Sequence, residues 1–249
     1  MEIVVAGGTG VIGTEVVRIA QIRGHHARAL SRANGVDVLT GAGLDEAVRG
    51  ADVVIDTLSV VTQSARASTR FFTRTTAHLL AAERRHGVGH HLALSIVGVD
   101  RAPHAYYAGK LAQEHVVQAG GTPWSVQRTT QFHDFAAQMY GRAAVGPVHP
   151  AVRMRTQPVS RTEVAQRLLD IVEDGPSGRV RDLAGPREED LAEMMRRWAR
   201  HRGRAGWMPK LALPGRFGTA MRDGSLLPQG DADLGSVTFD DWLRAQIHG

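Results

Sequence analysis

A tyrosine and a lysine stand four residues apart, at Tyr106 and Lys110, in a stretch with the apolar spacing of a helix. That separation brings both side chains onto one helix face. Because a neighbouring ammonium favours the phenolate, we expect Lys110 to lower the pKa of Tyr106 from about 10. Tyr106 would then give a proton to a carbonyl oxygen or take one from an alcohol. The alternative is a surface tyrosine that only packs on a lysine stem.

Lysine is rare in this chain, which has two lysines against 28 arginines. An ammonium is a compact point charge that can hydrogen-bond a ribose, so the lysine at position 110 favours the chemical interpretation. Ser95 ends the strand before this helix, at the edge where parallel sheets place their ligands. Its hydroxyl is therefore a candidate donor to the same substrate oxygen. A serine that merely ends a strand is the alternative.

The first thirteen residues have the pattern of a buried strand, a glycine turn and the start of a helix. Gly7 suits the tight turn, Gly10 allows a pyrophosphate to approach the backbone, and Gly13 allows the helix to pack on the strand. The helix N-terminus then faces the phosphates. A glycine turn with a structural role only is the alternative. The predicted cofactor-binding residues of this segment are Gly7, Thr9, Gly10, Val11, Ile12 and Gly13.

The end of the second strand indicates which dinucleotide is preferred. An acid there would bind the ribose hydroxyls of NAD, but the sequence is Leu30-Ser31-Arg32. Arg32 can fork onto a 2′-phosphate and Ser31 can add a hydroxyl, so we expect NADP(H) to be preferred over NAD(H). One more surface arginine in an arginine-rich chain is the alternative.

Alternating strand and helix patterns in the first half predict a parallel sheet with crossover helices. The predicted strands there are residues 2–6, 26–30, 36–39, 52–56, 90–95 and 124–128, and the predicted helices are 11–23, 44–49, 68–86 and 105–119. We therefore predict an α/β fold, a Rossmann-type doubly wound parallel sheet with a small C-terminal substrate cap. It forms a single NAD(P)-binding domain, residues 1–249, with the cofactor-binding core mainly in 1–132 and mixed core and cap elements in 133–249.

After residue 132 the alternation weakens. The later predicted elements are strands at 152–155 and 180–183, helices at 161–171 and 188–202, and a tail that is irregular until a helix at 239–243. Substrate is expected between the core and these pieces. The candidate substrate-pocket residues are Phe132, His133, Phe135 and Met139, although His133 is equally well explained as a residue that starts a helix.

Composition narrows the possible chemistry. The chain has no cysteine, which excludes disulfides, thiolate catalysis and cysteine-ligated metals. The formal charge is +5, but the densest arginine group, residues 200–204, accompanies no nucleic-acid motif and fits a solvated helix face. The histidines lack the spacing of a metal motif. We expect a cytoplasmic monomer or homodimer that acts on a small molecule, with no nucleic acid, membrane or metal partner.

The chain resembles the atypical branch of the short-chain dehydrogenase/reductase superfamily that is called NmrA-like. The resemblance is carried by the glycine turn, by Leu94–Gly98, by Tyr106–Glu114 and by Arg128–Phe132. It implies a reductase in which Tyr106 protonates the substrate oxygen, Ser95 polarises it and Lys110 holds the ribose. It also implies cofactor contacts from Thr57, Leu58 and Gln131.

The asparagine of the tetrad found in many relatives has no counterpart, and Thr57-Leu58-Ser59 replaces their Asn-Ala-Gly signature. Three functions stay open. An NADPH-dependent reductase of a carbonyl or quinone in a small or polyketide-like substrate is favoured, because regulators of this branch commonly lack the tyrosine. A non-catalytic, NADP(H)-binding redox-sensing regulator is second, and an NAD(P)-dependent epimerase is third.

Overall fold

The computed structural model describes residues 1–144, 148–204 and 206–246, and the chain forms two compact units. Unit 1 consists of Met1–Arg128 and Arg161–Arg181, and unit 2 of Thr129–Ser160 and Asp182–Gly249. Residues 161–181, whose sequence pattern grouped them with the mixed C-terminal elements, thus lie in the same unit as the glycine turn.

Unit 1 is built on a parallel sheet with the strand order β8-β5-β4-β3-β1-β2. Its strands are β1 (Glu2–Ala6), β2 (His26–Leu30), β3 (Val53–Asp56), β4 (His90–Ile96), β5 (Trp124–Thr129, whose last residue belongs to unit 2) and β8 (Gly178–Arg179). Residues 3–6 and 53–56 are entirely buried, as expected for strands covered on both faces. This sheet confirms the predicted Rossmann-type α/β fold.

Helices follow the strands of unit 1 in alternation. They are α1 (Gly13–Ile22), α2 (Leu44–Val48), α3 (Ala65–His86), α4 (Tyr106–Ala119) and α6 (Arg161–Asp174). Helix α3 packs along α4, and α1 packs on α6. Helices α3 and α4 approach closely at Gly109, which has no side chain. A Cβ on Gly109 would stand 2.1 Å from the Ser68 hydroxyl oxygen. The hydroxyl of Ser64 caps α3, which begins three residues earlier than the sequence predicts.

The direction of winding reverses between β1 and β3. From β1 the chain first adds β2 on one side and then places β3, β4 and β5 on the other. Parallel α/β sheets bind ligands outside the carboxyl ends of the strands at such a switch point. The segments that start at Gly7 and Thr57, directly after β1 and β3, flank this position.

Unit 2 contains short strands and four helices among its described residues. Its elements are α5 (Phe135–Arg142), β6 (Ala151–Val152), β7 (Arg155–Thr156), β9 (Leu183–Ala184), β10 (Glu189–Asp190), α7 (Leu191–His201), β11 (Lys210–Leu211), α8 (Gly215–Asp223), β12 (Asp233–Leu234) and α9 (Phe239–Ala245). The strands pair as β6 with β11, β7 with β10 and β9 with β12. Helix α7 packs against α5 and α9.

Two sequence-based expectations about elements are wrong. Residues 36–39 form no strand but a turn closed by a single bridge between Asp37 and Ala42, and Val36 is buried as a loop residue. The tail is not irregular before residue 239, because it includes α8. Across the described ranges, no helix has both the length and the apolar character needed to cross a membrane.

Candidate functional site

The glycine turn after β1 is shaped by close backbone packing. Gly7 has a φ of +82°, and a Cβ at Gly13 would stand 2.1 Å from the Gly7 carbonyl oxygen. A Cβ at Gly8 would stand 2.5 Å from the Ala29 Cβ. Gly10 is different, because it is exposed and its Cβ would meet one atom only, the Gly7 oxygen at 3.1 Å. Three glycines therefore serve the fold, while Gly10 leaves open backbone on the outer side of the turn.

Helix α1 begins at Gly13 directly after this turn, with Thr9, Gly10 and Val11 on its exposed rim and Ile12 buried beneath it. No side chain caps the first turn of the helix. The first amides of a helix have no acceptor within the helix, and the helix dipole makes this end positive. The open backbone at Gly10 and the uncapped helix end fit the pyrophosphate of a dinucleotide.

Ser31 and Arg32 lie at the carboxyl end of β2, beside β1. Register pairs Ala6 with Leu30, so these two residues follow the strand next to the glycine turn. Arg32 is exposed and opens a short 3-10 turn, and Asp37 is the first acid after the strand. The guanidinium is thus available for an anionic group at the same edge as the helix N-terminus.

Thr57 is fixed against the glycine turn from the other side. Its amide and its hydroxyl both donate to the Ala6 carbonyl oxygen, each at 2.9 Å. Its backbone carbonyl lies 3.0 Å from the position that a Cβ on Gly7 would take. The Leu58 amide donates to Asp56 at 2.9 Å, and its side chain packs on the core. The predicted cofactor residues that follow β1, β2 and β3 therefore converge at the carboxyl ends of these strands.

Tyr106 is the first residue of α4, after Ala105, which has a φ of +51°. Its hydroxyl donates to the Ser59 Oγ at 3.2 Å, and its ring meets Phe72 edge to face at 5.5 Å between centroids. Burial raises the pKa of the phenol, the Ser59 contact lowers it and Asp56 raises it, so that the net shift is upward. The expectation that Lys110 lowers this pKa is corrected: burial dominates. Sequence spacing gave no sign of Ser59 as a partner of Tyr106.

Lys110 is directed into the interior of unit 1 and not toward a ribose. Its Nζ donates to the Leu94 carbonyl oxygen at 2.5 Å and to the Gln113 side chain, and it lies 4.6 Å from the centroid of the Phe72 ring. Gln113 in turn donates to the buried Asp56 at 2.8 Å. Burial lowers the pKa of Lys110 to about 8, against the opposing effects of Asp56 and Glu114. The ribose-holding role inferred from the resemblance is therefore not supported by this geometry.

Ser95 is likewise engaged in the interior. It is 2% exposed, and its hydroxyl donates to Glu114 at 2.5 Å. Arg128 binds the same carboxylate through two hydrogen bonds of 2.8 and 2.7 Å and extends to Asp100 at 2.9 Å. Because the Ser95 hydroxyl donates within this buried network, this geometry does not support the expectation that it polarises a substrate oxygen.

The remaining predicted site residues belong to unit 2. The Gln131 side-chain oxygen accepts a hydrogen bond from Thr156 at 2.6 Å. His133 is wholly buried, 3.1 Å from the Val237 carbonyl oxygen, with its ring near Phe239. This burial does not support a place for His133 in the lining of a substrate pocket and fits the alternative of a structural histidine. The partly exposed candidates are Phe132, Phe135 and Met139.

Comparison with known families agrees with the geometry of unit 1. A family described as NAD(P)H-binding matches residues 7–175, which is more than half of the chain, and the match starts at the first glycine of the turn. The chain belongs to the NAD(P)H-binding family. This assignment confirms the predicted resemblance to an atypical NAD(P)-binding short-chain dehydrogenase/reductase family. A search of curated proteins by sequence gives no match.

Solved structures of similar fold span nearly the whole of this NAD(P)H-binding chain. A UDP-glucose 4-epimerase from Thermotoga maritima has a TM-score of 0.76 at 15% identity, covering 98% of this chain and 96% of that one. A nucleoside-diphosphate-sugar epimerase from Staphylococcus aureus has a TM-score of 0.71 at 16% identity, covering 98% and 100%. An NADPH-dependent quinone oxidoreductase from Escherichia coli has a TM-score of 0.67 at 15% identity, covering 99% and 100%. At these identities the likeness shows the fold.

Proposed function

We propose that this chain is an NADPH-dependent oxidoreductase that transfers a hydride to a carbonyl or quinone of a small or polyketide-like substrate, with Tyr106 as the proton donor. One observation carries the proposal. The Thr57 backbone lies 3.0 Å from where a Cβ of Gly7 would be, and two residues later Ser59 accepts the Tyr106 hydroxyl at 3.2 Å. The phenol thus contacts the same segment, residues 57–59, that packs against the glycine turn.

The residues of unit 1 have separate tasks in this proposal. Gly10 would let the pyrophosphate approach the turn, the backbone amides at the start of α1 would hold it, and Thr57 would support the cofactor from below. The bound nicotinamide would supply the hydride. Tyr106 would supply the proton, and its raised pKa keeps the phenol protonated at neutral pH, which suits reduction.

The preference for NADPH over NADH rests on the end of β2. Exposed Arg32 and the neighbouring Ser31 present a guanidinium and a hydroxyl, and no acid stands there to bind the ribose hydroxyls of NADH. The planar guanidinium of an arginine can donate two parallel hydrogen bonds to the oxygens of one phosphate. The quinone oxidoreductase of similar fold is NADPH-dependent by its description, which gives independent reason to test quinones first.

A second function is favoured by a different observation. Ser95 and Lys110, which the resemblance assigns to catalysis, both use their polar groups inside the core. A chain that binds NADP(H) without turnover, and so reports the redox state to a partner, needs neither of them. The glycine turn and Arg32 serve this regulator equally well, so the two functions differ in turnover and not in binding.

The experiment that separates them follows NADPH consumption by the wild-type chain across a panel of quinones and ketones, with NADPH affinity measured in parallel by nucleotide fluorescence. Turnover with at least one class of acceptor is the expected result. Tight binding with no turnover on any acceptor would replace the reductase by the regulator. Absence of NADPH binding would contradict both functions.

A further inference from the structure

The hydroxyl of Ser59 is the side-chain group that contacts the phenol of Tyr106, at 3.2 Å. Ser59 is exposed and stands three residues beyond β3, at the carboxyl edge of the sheet. We infer that Ser59 is the positioning residue of the reaction, holding the Tyr106 phenol at the sheet edge and passing protons between the phenol and solvent. This inference rests on the proposed function of Tyr106 as proton donor.

Both ends of the contact are held by the fold. On the Ser59 side, Thr57 makes two hydrogen bonds to the Ala6 carbonyl oxygen, and the Leu58 amide binds Asp56. On the Tyr106 side, its own carbonyl oxygen accepts the Ser68 hydroxyl at 2.9 Å. Two anchored backbone segments therefore fix the separation of the two hydroxyls, as a positioned proton donor requires.

The positive φ of Ala105 adds an independent sign that this end of α4 is constrained. Ala105 is the one described non-glycine residue with a positive φ, +51°, and it immediately precedes Tyr106. Such a conformation costs energy in a residue with a Cβ and persists where the surroundings determine it, often beside functional groups. This constrained residue directly precedes the one whose hydroxyl contacts Ser59.

The two other polar side chains that the family resemblance places beside the phenol are bonded elsewhere. Ser95 donates to Glu114 inside the network that also holds Arg128. The Lys110 ammonium donates to the Leu94 carbonyl oxygen and lies on the Phe72 ring. Of these three side chains, Ser59 is the one that both touches the phenol and reaches solvent.

The proton transfer balances without a further reactant. As hydride from NADPH forms a C–H bond at the substrate carbon, the Tyr106 O–H bond breaks and its proton joins the substrate oxygen. The Ser59 hydroxyl then gives its proton to the phenolate and takes one from water. The product gains one hydride from NADPH and, in net, one proton from solvent, and both side chains return to their starting state.

The test compares three variants, Ser59→Ala, Ser59→Thr and the matched control Ser177→Ala, at another exposed serine of unit 1. A substrate-independent readout is the tyrosinate titration by ultraviolet absorbance, with Tyr106→Phe in each background to isolate the Tyr106 signal from the other two tyrosines. Loss of a hydroxyl that hydrogen-bonds the phenolate should raise the pKa of Tyr106 further, by about one unit, in Ser59→Ala. Ser59→Thr, which keeps a hydroxyl, should restore the wild-type value.

The kinetic readout uses whichever acceptor the wild type reduces. We expect Ser59→Ala to lower kcat about tenfold with KM and NADPH affinity within about twofold, and Ser59→Thr to recover most of it. We expect Ser177→Ala to keep kcat, KM and NADPH affinity within about twofold of wild type.

An unmoved Tyr106 pKa in Ser59→Ala would overturn the inference, whatever the turnover. An equal loss of kcat in Ser59→Ala and Ser177→Ala would also overturn it. A wild type without turnover on every acceptor would refute the proposed function and, with it, the relay. In that case the titration would still report whether the Ser59 contact exists, so the two failures are distinguishable.

Discussion

Substituting Gly10 and Gly13 separately should change two different properties, NADPH affinity in one variant and stability in the other. A Cβ on Gly13 would stand 2.1 Å from the Gly7 carbonyl oxygen and 2.6 Å from the Gly8 Cα, so backbone would have to move. A Cβ on Gly10 would meet the Gly7 oxygen alone, at 3.1 Å, and would otherwise project outward. Gly13→Ala should therefore damage the fold, whereas Gly10→Ala should damage NADPH binding.

The magnitudes follow from these contacts. Overlap of this kind costs about 3 kcal/mol, so Gly13→Ala should lose a large part of a typical stability of roughly 5–15 kcal/mol. For Gly10→Ala the tight contact is offset by the lower backbone entropy of the unfolded alanine chain, leaving stability within about 1 kcal/mol of wild type. A methyl group that blocks even one charge-assisted hydrogen bond to phosphate costs about 1.5–3 kcal/mol, or about 10- to 100-fold in affinity.

Urea unfolding measures the first quantity and fluorescence titration with NADPH the second. The control for a glycine-to-alanine change is Gly141→Ala, because Gly141 lies in α5 with open space around it. Gly24→Ala is unsuitable because Gly24 has a φ of +82°, which alanine rarely adopts. Gly10→Ala with wild-type NADPH affinity would refute the assignment of this turn as the pyrophosphate site. Gly13→Ala with unchanged stability would refute the packing argument.

Three further perturbations test single residues. Arg32→Ala should reduce the preference for NADPH over NADH about tenfold, because it removes the guanidinium proposed to bind the 2′-phosphate. An unchanged preference would show that Arg32 does not contact the 2′-phosphate. Arg70→Ala, at another exposed arginine of unit 1, is the control. Lys110→Met should lower stability, because the ammonium donates to the Leu94 carbonyl oxygen, and should leave NADPH affinity within a few-fold of wild type. A loss of NADPH affinity at unchanged stability would instead indicate that Lys110 binds the ribose. Burial and, to a smaller extent, the neighbouring His91 lower the pKa of His90 from 6.5 to about 4. Between these pH values the unfolded chain binds more protons than the folded chain, so stability should fall as the pH falls through them. That fall amounts to about 3 kcal/mol at roughly 1.4 kcal/mol per pH unit, and His90→Asn should remove it in urea titrations at pH 7 and at about pH 4.

The sequence predicts the sheet and the cofactor edge well because local chemistry determines both. The apolar run at residues 3–6 followed by spaced glycines has one good structural solution, a buried strand that turns into a helix. The same reasoning is wrong at residues 36–39, where the sequence pattern predicts a strand. There Gly35 and Gly41, both with positive φ, curl the chain into a turn that buries Val36 as a loop residue.

Helix α8 was missed because glycine weakens a helical pattern. Gly215 and Gly218 both lie in it, but Gly218 is required by packing, since its Cβ would stand 1.9 Å from the Leu213 carbonyl oxygen. A local pattern contains no information about such a contact with a preceding loop. Backbone crowding at the start of the helix here overrides helix propensity.

The orientation of the polar side chains was the least predictable part of the site. Spacing places Tyr106 and Lys110 on one helix face, but it does not say that Gln113 and Glu114 on the same helix compete for Lys110 and Ser95. One signal was present in the sequence. Arg128 lies near the end of a predicted strand of a covered sheet, and a buried arginine needs an acid partner, which Glu114 supplies.

The central claim is that the Tyr106 phenol gives the proton in an NADPH-dependent reduction, and one comparison tests it most directly. NADPH consumption with an accepted quinone or ketone is measured for the wild type, Tyr106→Phe and the adjacent control Tyr107→Phe, with NADPH affinity determined for each. General acid catalysis of this kind contributes about 10²- to 10⁴-fold, so Tyr106→Phe should lose at least about a hundredfold in kcat while its NADPH affinity stays within a few-fold. Tyr107→Phe should keep kcat close to that of the wild type. Turnover by Tyr106→Phe at the wild-type rate would contradict the account.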